Sequence, residues 1–434
     1  MEREFQQALA EQDRGDLDRA ESLLKDLHSK HSGIFALDET LGLLLVRRNR
    51  FEEALPLLHS AVRESFDSSA AHANLGAAYY NLHRNAEAQM EFERAVHIDP
   101  HSLSAYLSLG RIQMEGHHAR EASEAFASAL RIEPGNLDLM LDRTQALIEA
   151  GENASAAESL QSFTDGDHSA AVQLLWGEFE EQKGAYLQAG KHFTRAVELD
   201  PSETNVWALS AELLRHWNFD AAIQELEPSV VKFPQSVRLK LGLGAAYFGN
   251  ANYSKAIPVF ADLLTAEPGN STYAEMLGLS CKVVMQEAKP RCSALLTYAQ
   301  AHPGDARAAT YAATFILDGG GDDARINLAH RLLQNAVVAD PKLADAQFEL
   351  GVWLQNESQW KESIQPLESA LALKPNFALA HYRLALAYWR SGRKQESERE
   401  MDLQKKFSAQ QKEDLDQRLR QITRFMVEVR SPRQ

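Results

Sequence analysis

Residues 69–102 read SAAHANLGAAYYNLHRNAEAQMEFERAVHIDPHS, a stretch with two helical patterns separated by a short polar turn. In the first pattern, apolar and small side chains recur at helical spacing and end near His83: Leu75, Gly76, Tyr79 and Tyr80. In the second pattern, the predicted buried positions precede Asp99-Pro100, which is typical of a helix end: Ala88, Phe92, Ala95 and Ile98. One such pair of helices leaves apolar surface uncovered, so we expect copies of the pair to stack on one another.

The same features recur in neighbouring stretches with a step of 34 residues. Leucine-glycine pairs stand at Leu41-Gly42, Leu75-Gly76 and Leu109-Gly110. The alanines Ala54, Ala88 and Ala122 keep this step, and so do Leu58, Phe92 and Phe126. Such regular self-similarity predicts a repeat architecture rather than one globular core.

The pattern resembles the tetratricopeptide repeat, a helix–turn–helix motif of 34 residues. In that family small residues stand where the two helices cross, and larger ones fill the space beside them. Gly76 and Ala88 occupy the small positions here, while Tyr79 and Phe92 occupy the large ones. The resemblance implies an all-α fold, a right-handed superhelical α-solenoid of about twelve units whose first helices line a concave wall.

The predicted array spans residues 1–411 and leaves no room for a separate catalytic domain. Its units are 1–34, 35–68, 69–102, 103–136, 137–169, 170–203, 204–236, 237–270, 271–305, 306–343, 344–377 and 378–411. Unit 137–169 ends in FTDGDHS instead of a proline, unit 271–305 departs from the pattern at QEAKPRC, and unit 306–343 has a long turn, LDGGGDD. We expect the array to bend or unfold first at residues 163–169 and 317–323, where contacts between repeats should be weaker.

Residues 412–434 follow the last repeat and begin with an amphipathic pattern. Leu415, Leu419, Ile422, Met426 and Val429 alternate in steps of four and three, and the opposite face is polar. A solenoid needs a terminal element with one apolar and one polar face, so this segment is predicted to be a capping helix. The same spacing also suits a dimerisation helix.

The overall charge argues against two classes of partner. The chain has 45 basic and 61 acidic residues and a net charge of −16. Nucleic acids and anionic membranes both require a cationic surface, so binding to nucleic acid is not expected. No apolar run is long enough for membrane insertion, and the charged, helical N-terminal sequence does not look like a secretory leader. A soluble cytoplasmic protein is expected, or a periplasmic or exported one if a leader has been removed.

No catalytic or metal-binding motif stands out, and no cofactor is predicted. The adjacent His117 and His118 fall in a turn, and His28 and His31 have no third ligand nearby in sequence. Gly319-Gly320-Gly321 lacks the lysine of a phosphate-binding loop, and the aspartates around it do not follow calcium-loop spacing. The tripeptide at residues 14–16, Arg-Gly-Asp, lies where a turn between helices is expected.

Cys281 and Cys292 are the two cysteines of the chain, and they lie on the two helices of one degenerate repeat. They stand at similar distances from the predicted turn, so their side chains could approach each other. They could be buried thiols that act as small hydrophobic residues, or they could form a disulfide that locks the hairpin. A disulfide would imply an oxidising compartment.

The resemblance also indicates where a partner would bind, because the family's concave wall carries its ligands. The motif maps these candidate peptide-binding positions to Tyr80, Arg111, Met114, Glu178, Glu181, Glu212, Arg215, His216, Arg238, Phe248, Lys282, Phe348, Tyr382, Trp389 and Arg390. Aromatic residues and arginine are enriched at binding hot spots. The acidic part of this set, Glu178, Glu181 and Glu212, favours a basic or extended peptide.

One known mode of binding in the family is not expected here. Its chaperone-docking members grip a C-terminal carboxylate with lysines and asparagines on successive first helices. This sequence has Ala73, Ala77, Ser104 and Ser108 at the corresponding places, so it is not expected to bind the acidic tail of a heat-shock chaperone.

The function predicted from the sequence is that of a non-enzymatic scaffold that binds a peptide or protein segment in the groove. One alternative is an architectural protein that self-associates or assembles through its ends. Another is a regulatory subunit of an enzyme complex. Exposed apolar surface on the first hairpin or on residues 412–434 would favour the architectural alternative.

Overall fold

A computed structural model of the protein describes residues 1–163, 166–283, 289–319 and 322–411. The chain divides into two compact units, residues 1–200 and 201–434. The described residues form helices and turns without a β-strand, which confirms the all-α repeat solenoid predicted from the sequence. None of the helices in these ranges is both long and apolar enough to cross a membrane. The predicted terminal helix at 412–434 lies outside the described residues.

Each unit consists of successive helix pairs. In the first unit the helices are α1 Glu2–Asp13, α2 Leu17–Lys30, α3 Phe35–Arg47, α4 Phe51–Glu64, α5 Ser69–Asn81, α6 Asn85–Ile98, α7 Leu103–Glu115, α8 Ala119–Ile132, α9 Leu137–Glu149, α10 Asn153–Gln161, α11 Ala170–Gln182 and α12 Tyr186–Leu199, with a short 3₁₀ helix at Gly166–His168. In the second unit they are α13 Glu203–Arg215, α14 Phe219–Lys232, α15 Val237–Gly249, α16 Tyr253–Ala266, α17 Ser271–Val283, α18 Lys289–Ala301, α19 Ala306–Gly319, α20 Asp323–Ala339, α21 Ala344–Asn356, α22 Ile364–Leu373, α23 Ala378–Arg390 and α24 394–411.

Local sequence explains where the first and second helices of a pair begin and end. Ser68 accepts a hydrogen bond from the backbone N–H of Ala71, and Asn136 does the same for Leu139, so both cap first helices. Eight of the second helices end two residues before a proline, as α6 does before Pro100, whereas no proline follows α2, α4 or α10 at that place. This follows because a residue preceding proline is disfavoured in the helical conformation.

In ten of the helix pairs the turn contains one residue in the left-handed conformation. The residues with positive φ at this position are Gly15, Asn49, His83, His117, Gly151, Gly184, Trp217, Ala251, Ser358 and Gly392. Glycine adopts this conformation without steric cost, whereas for the other residue types it is unfavourable in free energy. The geometry is therefore imposed by the packing of the two helices, and it persists where the sequence does not favour it.

The core of a pair is built from a small residue facing a large one. Ala88, Phe92 and Ala95 of α6 are at most 3% exposed, and Leu75 and Tyr79 of α5 are buried against them. The predicted small and large positions are thus confirmed as core positions. Burying a side chain such as Phe92 contributes about 1.5–3 kcal/mol, which is why the pairs need one another.

Two of the three irregular repeats can be compared with the regular pattern, whereas residues 284–288, where the repeat at 271–305 departs from it, lie outside the described residues. In the repeat at 137–169 the second helix α10 has 9 residues, whereas α6 and α8 have 14. In the repeat at 306–343 the expectation of a long turn is wrong. There α19 continues to Gly319 and α20 has 17 residues, because most of the inserted residues extend the helices instead of the turn.

Candidate protein-binding surface

In the first unit, the solvent-facing sides of α5 and α7 meet through a hydrogen bond from the hydroxyl of Tyr80 to the carboxylate of Glu115. This contact and burial raise the pKa of the Tyr80 hydroxyl. Arg111 of α7 is exposed, and Met114 is half-buried. The predicted wall positions Tyr80 and Arg111 therefore reach solvent on one side of neighbouring first helices.

An acidic cluster lies next to them on α9 and α11. Asp142, Gln145 and Glu149 recur at helical spacing on one face of α9, and Glu178 of α11 is half-buried beside them. The amide of Gln145 donates to Glu149 at 3.0 Å, and a side-chain hydrogen bond from Gln145 acts to lower the pKa of Glu178. We call Asp142, Glu149 and Glu178 the acidic cluster.

Burial makes two carboxylates of this cluster, Asp142 and Glu178, costly to ionise. It is the main reason that the pKa of Glu178 lies above its ordinary value, and the neighbouring charge of Glu149 adds to it. Burial likewise raises the pKa of Asp142, although Arg111 acts in the opposite direction. Desolvated carboxylates favour the neutral form unless a cation approaches them. The cluster is therefore suited to receive a positively charged group.

In the second unit, two of the predicted wall residues are not available to a ligand. Glu212 is 3% exposed, forms an ion pair with Arg215 at 2.7 Å, and lies 3.2 Å from Nε2 of His216, the residue that follows α13. Phe348 is 5% exposed, because its ring packs against that of Phe377 at a centroid distance of 4.6 Å. The prediction that Glu212 and Phe348 line an open surface is wrong.

Three further wall residues of this unit contact other side chains of the array. The Nε of Arg238 donates to Glu203 at 2.7 Å, and Phe248 packs edge-on against Tyr253. Lys282 donates to Glu349 at 3.3 Å. Burial raises the pKa of Glu349, while Lys282 acts against this rise. Arg238 and Lys282 thus connect different repeats, and Phe248 packs within its own repeat, so only part of each side chain is left for a partner.

The last first helix, α23, differs from the others. Tyr382 is 39% and Trp389 57% exposed, and Leu379, which the sequence reasoning did not select, is 51% exposed. The guanidinium carbon of Arg390 lies 5.3 Å from the centroid of the Trp360 ring. The three predicted residues of this helix, Tyr382, Trp389 and Arg390, thus share an exposed side with further apolar groups.

The remaining predicted positions fall outside these groups. Glu181 is half-buried on α11 in the first unit, and Arg215 is exposed on α13 in the second. The sequence reasoning missed Asp142, Gln145 and Glu149, which the spacing of α9 could have identified as one face. It also missed Trp360, which lies in the turn before α22 and has no helical period to reveal it.

The two cysteines are joined in the structure. Cys281 of α17 and Cys292 of α18 form a disulfide with an S–S distance of 2.00 Å, and both residues are buried. Of the two alternatives left open by the sequence, the structure therefore contains the bonded one. It connects the first and second helices of a single repeat and is separate from both exposed surfaces.

The histidines considered as metal ligands have structural partners or turn positions. His28 Nδ1 lies 2.8 Å from a carboxylate oxygen of Asp38, which is fully buried. His117 is the left-handed residue of the turn between α7 and α8. Gly15 has the same role between α1 and α2, as expected for the Arg-Gly-Asp stretch.

One open pocket of about 680 Å³ lies elsewhere on the first unit, between the second helices α4 and α6. It is lined by apolar Val62, Phe66, Met90 and Ile98, and by Arg63, His72, Glu93, Arg94 and His97. Its charged residues have both signs. The pocket therefore does not select a ligand of one charge.

Comparison with known families finds matches along much of the chain. Sequence models described as tetratricopeptide repeat match residues 45–112, 141–204 and 208–271, and one described as TPR repeat matches residues 356–392. Together these matches cover more than half of the sequence. No curated protein was found to match the chain as a whole or in part.

Several solved structures resemble the fold at low identity. A structure of Naa15/Naa10 bound to HypK-THB is 15% identical with a TM-score of 0.38, over 92% of this chain and 68% of that one. The APC/C hetero-tetramer Cut9–Hcn1 is 18% identical with a TM-score of 0.41, over 94% and 80% of the two chains. Pseudomonas aeruginosa pilF is 17% identical with a TM-score of 0.38, over 47% and 93%. The likeness is one of helical fold alone.

Proposed function

The chain is a tetratricopeptide repeat protein, and from this premise we propose that it is a non-enzymatic scaffold that binds a basic, extended segment of a partner protein. The repeats make the chain a protein-interaction scaffold. The segment would lie along the solvent-facing sides of first helices α9 and α11. The observation that carries the proposal is the acidic cluster of Asp142, Glu149 and Glu178.

The physical basis of this proposal is the cost of leaving the acidic cluster unpaired. Glu178 is half-buried, and burial raises its pKa. The neighbouring carboxylate of Glu149 has the same charge and raises this pKa further. A lysine or arginine of a partner would replace the missing solvation and remove the repulsion between Glu149 and Glu178. Charge complementarity of this kind fixes the register of a bound segment and selects against acidic partners.

An extended segment suits this surface better than a compact one. Asp142 and Glu149 lie on one face of α9, seven residues or two helical turns apart, and Glu178 lies on the adjacent helix. Successive basic side chains of an extended peptide could reach these carboxylates in turn. The net charge of −16 also attracts basic segments from solution and increases the rate of association.

The test is a binding titration with a fluorescent peptide of alternating lysine and alanine, monitored by anisotropy. We expect saturable binding to the full chain that the double variant Glu149→Gln/Glu178→Gln weakens about tenfold, since two charge-assisted contacts are lost. The matched control is Glu124→Gln/Glu158→Gln, which removes two exposed carboxylates from the second helices α8 and α10 of the same unit.

Equal weakening by the two double variants would contradict the proposal, because it would show attraction to the net charge rather than to the acidic cluster. A control peptide of alternating glutamate and alanine should not respond to Glu149→Gln/Glu178→Gln, so an equal weakening of its binding by this variant would contradict the proposal as well. Sedimentation of each variant at the same protein concentration monitors self-association, the architectural alternative. A change in oligomeric state caused by the cluster variant alone would favour that alternative.

A further inference from the structure

The helix α23 is apolar on two opposite faces. Its inner face is buried and includes Leu384 and Tyr388. Its outer face carries Leu379, Tyr382 and Trp389, which follow one another at steps of three and seven residues and are 51%, 39% and 57% exposed. A helix that is hydrophobic all round is normally buried, so an exposed second apolar face indicates a surface that a partner covers.

The charge of this region is opposite to that of the chain. Residues 378–394 contain Arg383, Arg390, Arg393 and Lys394 and no aspartate or glutamate, whereas the whole chain has a net charge of −16. Arg383 and Arg390 are four and eleven residues from Leu379, so they lie on the outer face together with the apolar side chains. The outer face is therefore a cationic and aromatic surface on an acidic protein.

Two of these cations are held over aromatic rings rather than by carboxylates. The Arg390 guanidinium carbon lies 5.3 Å from the centroid of Trp360, and Lys394 Nζ lies 5.7 Å from that of Trp389. Within the described ranges neither residue takes part in an ion pair, whereas Arg393 is paired with Glu396 at 2.9 Å. A guanidinium stacked on a ring keeps its N–H groups at the edge, where a carboxylate can accept from them.

We propose that the outer face of α23, formed by Leu379, Tyr382 and Trp389 with Arg390 and Lys394, binds an acidic protein segment that carries apolar or aromatic side chains. The inference rests on the proposed scaffold function but concerns a separate surface with the opposite charge preference. The apolar side chains of the segment pack between Tyr382 and Trp389. Its carboxylates accept hydrogen bonds from Arg390 and Lys394.

The composition of the rest of the chain favours an external acidic occupant. Residues 412–434 have an apolar pattern of their own, but they contain six basic and four acidic residues and so do not complement a cationic surface. A segment with several carboxylates complements this surface, and salt would weaken its attraction to the face. The test must therefore distinguish an external acidic segment from two other occupants of this face, the chain's own terminal segment and a second copy of the chain.

The experiment measures binding of a fluorescent peptide of glutamate and leucine with a central tryptophan to the full chain. We expect saturable binding that Trp389→Ala weakens about tenfold, as for an aromatic hot-spot residue. Arg390→Glu/Lys394→Glu should abolish it. The matched controls are Trp217→Ala, an exposed tryptophan in the turn between α13 and α14 of the same unit, and Lys342→Glu in the turn before α21. Both should bind as the parent does.

Several results would overturn the inference. If the acidic peptide does not bind, or if Trp217→Ala weakens its binding as much as Trp389→Ala does, the α23 face is not its site. A gain in peptide affinity caused by Ile422→Asp in the full chain shows that the terminal segment occupies the face. A dimer that Trp389→Ala dissociates identifies a second copy as the occupant. Retained binding of the lysine-alanine peptide in any of these cases leaves the proposed function intact and rejects this inference alone.

Discussion

A methyl group placed on Gly110 would lie 2.6 Å from Cε1 of Phe126, a distance that real side chains do not adopt. The same relationship recurs at Gly42 and Leu58, Gly76 and Phe92, Gly177 and Phe193, Gly244 and Phe260, and Gly351 and Leu367. In every case the glycine is on the first helix and the large residue on the second. The glycine thus lets the two helices approach each other, and the large side chain fills the space above it.

This relationship predicts opposite effects for two glycine-to-alanine changes. Gly110→Ala should lower the free energy of unfolding by about 1–3 kcal/mol, because the Phe126 ring must move within a packed core. Gly190→Ala should raise it by up to about 1 kcal/mol, since alanine favours a helix and a methyl group there has nothing within 4 Å. Urea unfolding followed by circular dichroism measures both. Equal effects of the two variants would show that the close contact has no special role.

The left-handed turn residues give a second prediction. Ala251 has φ of 55° between α15 and α16, a conformation that costs an alanine about 1–2 kcal/mol. Ala251→Gly should therefore raise the free energy of unfolding by roughly 0.5–1 kcal/mol, after allowing for the greater freedom of glycine in the unfolded chain. Ala266→Gly is the control, because Ala266 is an exposed residue at the helical end of α16 and its replacement should destabilise. Loss of stability in Ala251→Gly would contradict the prediction.

The raised pKa of Glu178 predicts a pH-dependent effect. A carboxylate whose folded-state pKa lies above its unfolded value contributes stability at low pH and loses it as the pH rises through the folded-state pKa. Glu178→Gln should therefore be more stable than the parent at neutral pH. The difference should disappear below the ordinary glutamate value of 4.5. Thermal unfolding at a series of pH values measures the difference.

Glu203 provides a control of opposite sign for this experiment. Hydrogen bonds from Ser236 and Arg238 lower its pKa, so it contributes stability above its ordinary value and loses it as the pH falls through the folded-state pKa. Glu203→Gln should be less stable than the parent at neutral pH, and the deficit should shrink in acid. If the stability of both variants relative to the parent changed in the same direction with pH, burial would not raise the pKa of Glu178.

The fold could be predicted from the sequence because its signal is local and repeated. Leu75, Gly76, Ala88 and Phe92 each have a size required by the contact of one helix pair, and that requirement recurs with a fixed step. The binding surface could not be predicted to the same extent. Exposure of a first-helix residue depends on side chains beyond its own helix pair, as for Phe348, which is covered by Phe377 in the turn before α23. The spacing of apolar residues within one helix does not show which of its side chains another element will cover.

Polar contacts inside the repeats were also beyond the reach of the sequence. His72 Nδ1 lies 2.5 Å from Glu91, and His72 Nε2 lies 3.1 Å from the carbonyl oxygen of Phe66. His381 makes the corresponding contacts with Glu400 and the carbonyl of Pro375 in the other unit. The histidine and the glutamate of each contact are 19 residues apart and belong to different helices. Only the packed hairpin brings them together.

The disulfide predicts a local response to reduction. Cys281 and Cys292 are 11 residues apart, and closing a loop of this size stabilises a fold by about 2–3 kcal/mol in the chain-entropy account. A reducing agent should therefore lower the midpoint of unfolding of the parent but leave Cys281→Ala/Cys292→Ala unchanged. Detection of two reactive thiols in the unreduced, unfolded protein would show that the cysteines are not bonded.

The short helix α10 should be the place where the first unit opens most readily. Its 9 residues bury only Ala156 and Leu160, whereas α8, with 14 residues, buries six side chains. In a repeat array each helix is stabilised by its neighbours alone, so this deficit is not shared by distant repeats. Local opening free energies follow the number of buried apolar contacts. We therefore expect the amides of α10 to exchange with solvent faster than those of α8 or α12.

Hydrogen exchange read by mass spectrometry tests this directly, with peptides from α8 and α20 as internal references. The helix α20 belongs to the other irregular repeat but has 17 residues and buries Ala329, Leu332, Leu333 and Ala336. It should exchange slowly, so of the two weak places expected from the sequence only the one around residues 163–169 should open early. Substituting Leu160→Ala should speed exchange in α9 and α11 as well, because both pack in the same cluster as Leu160. Uniform protection of α8, α10 and α12 would mean that helix length does not set the local stability of this array.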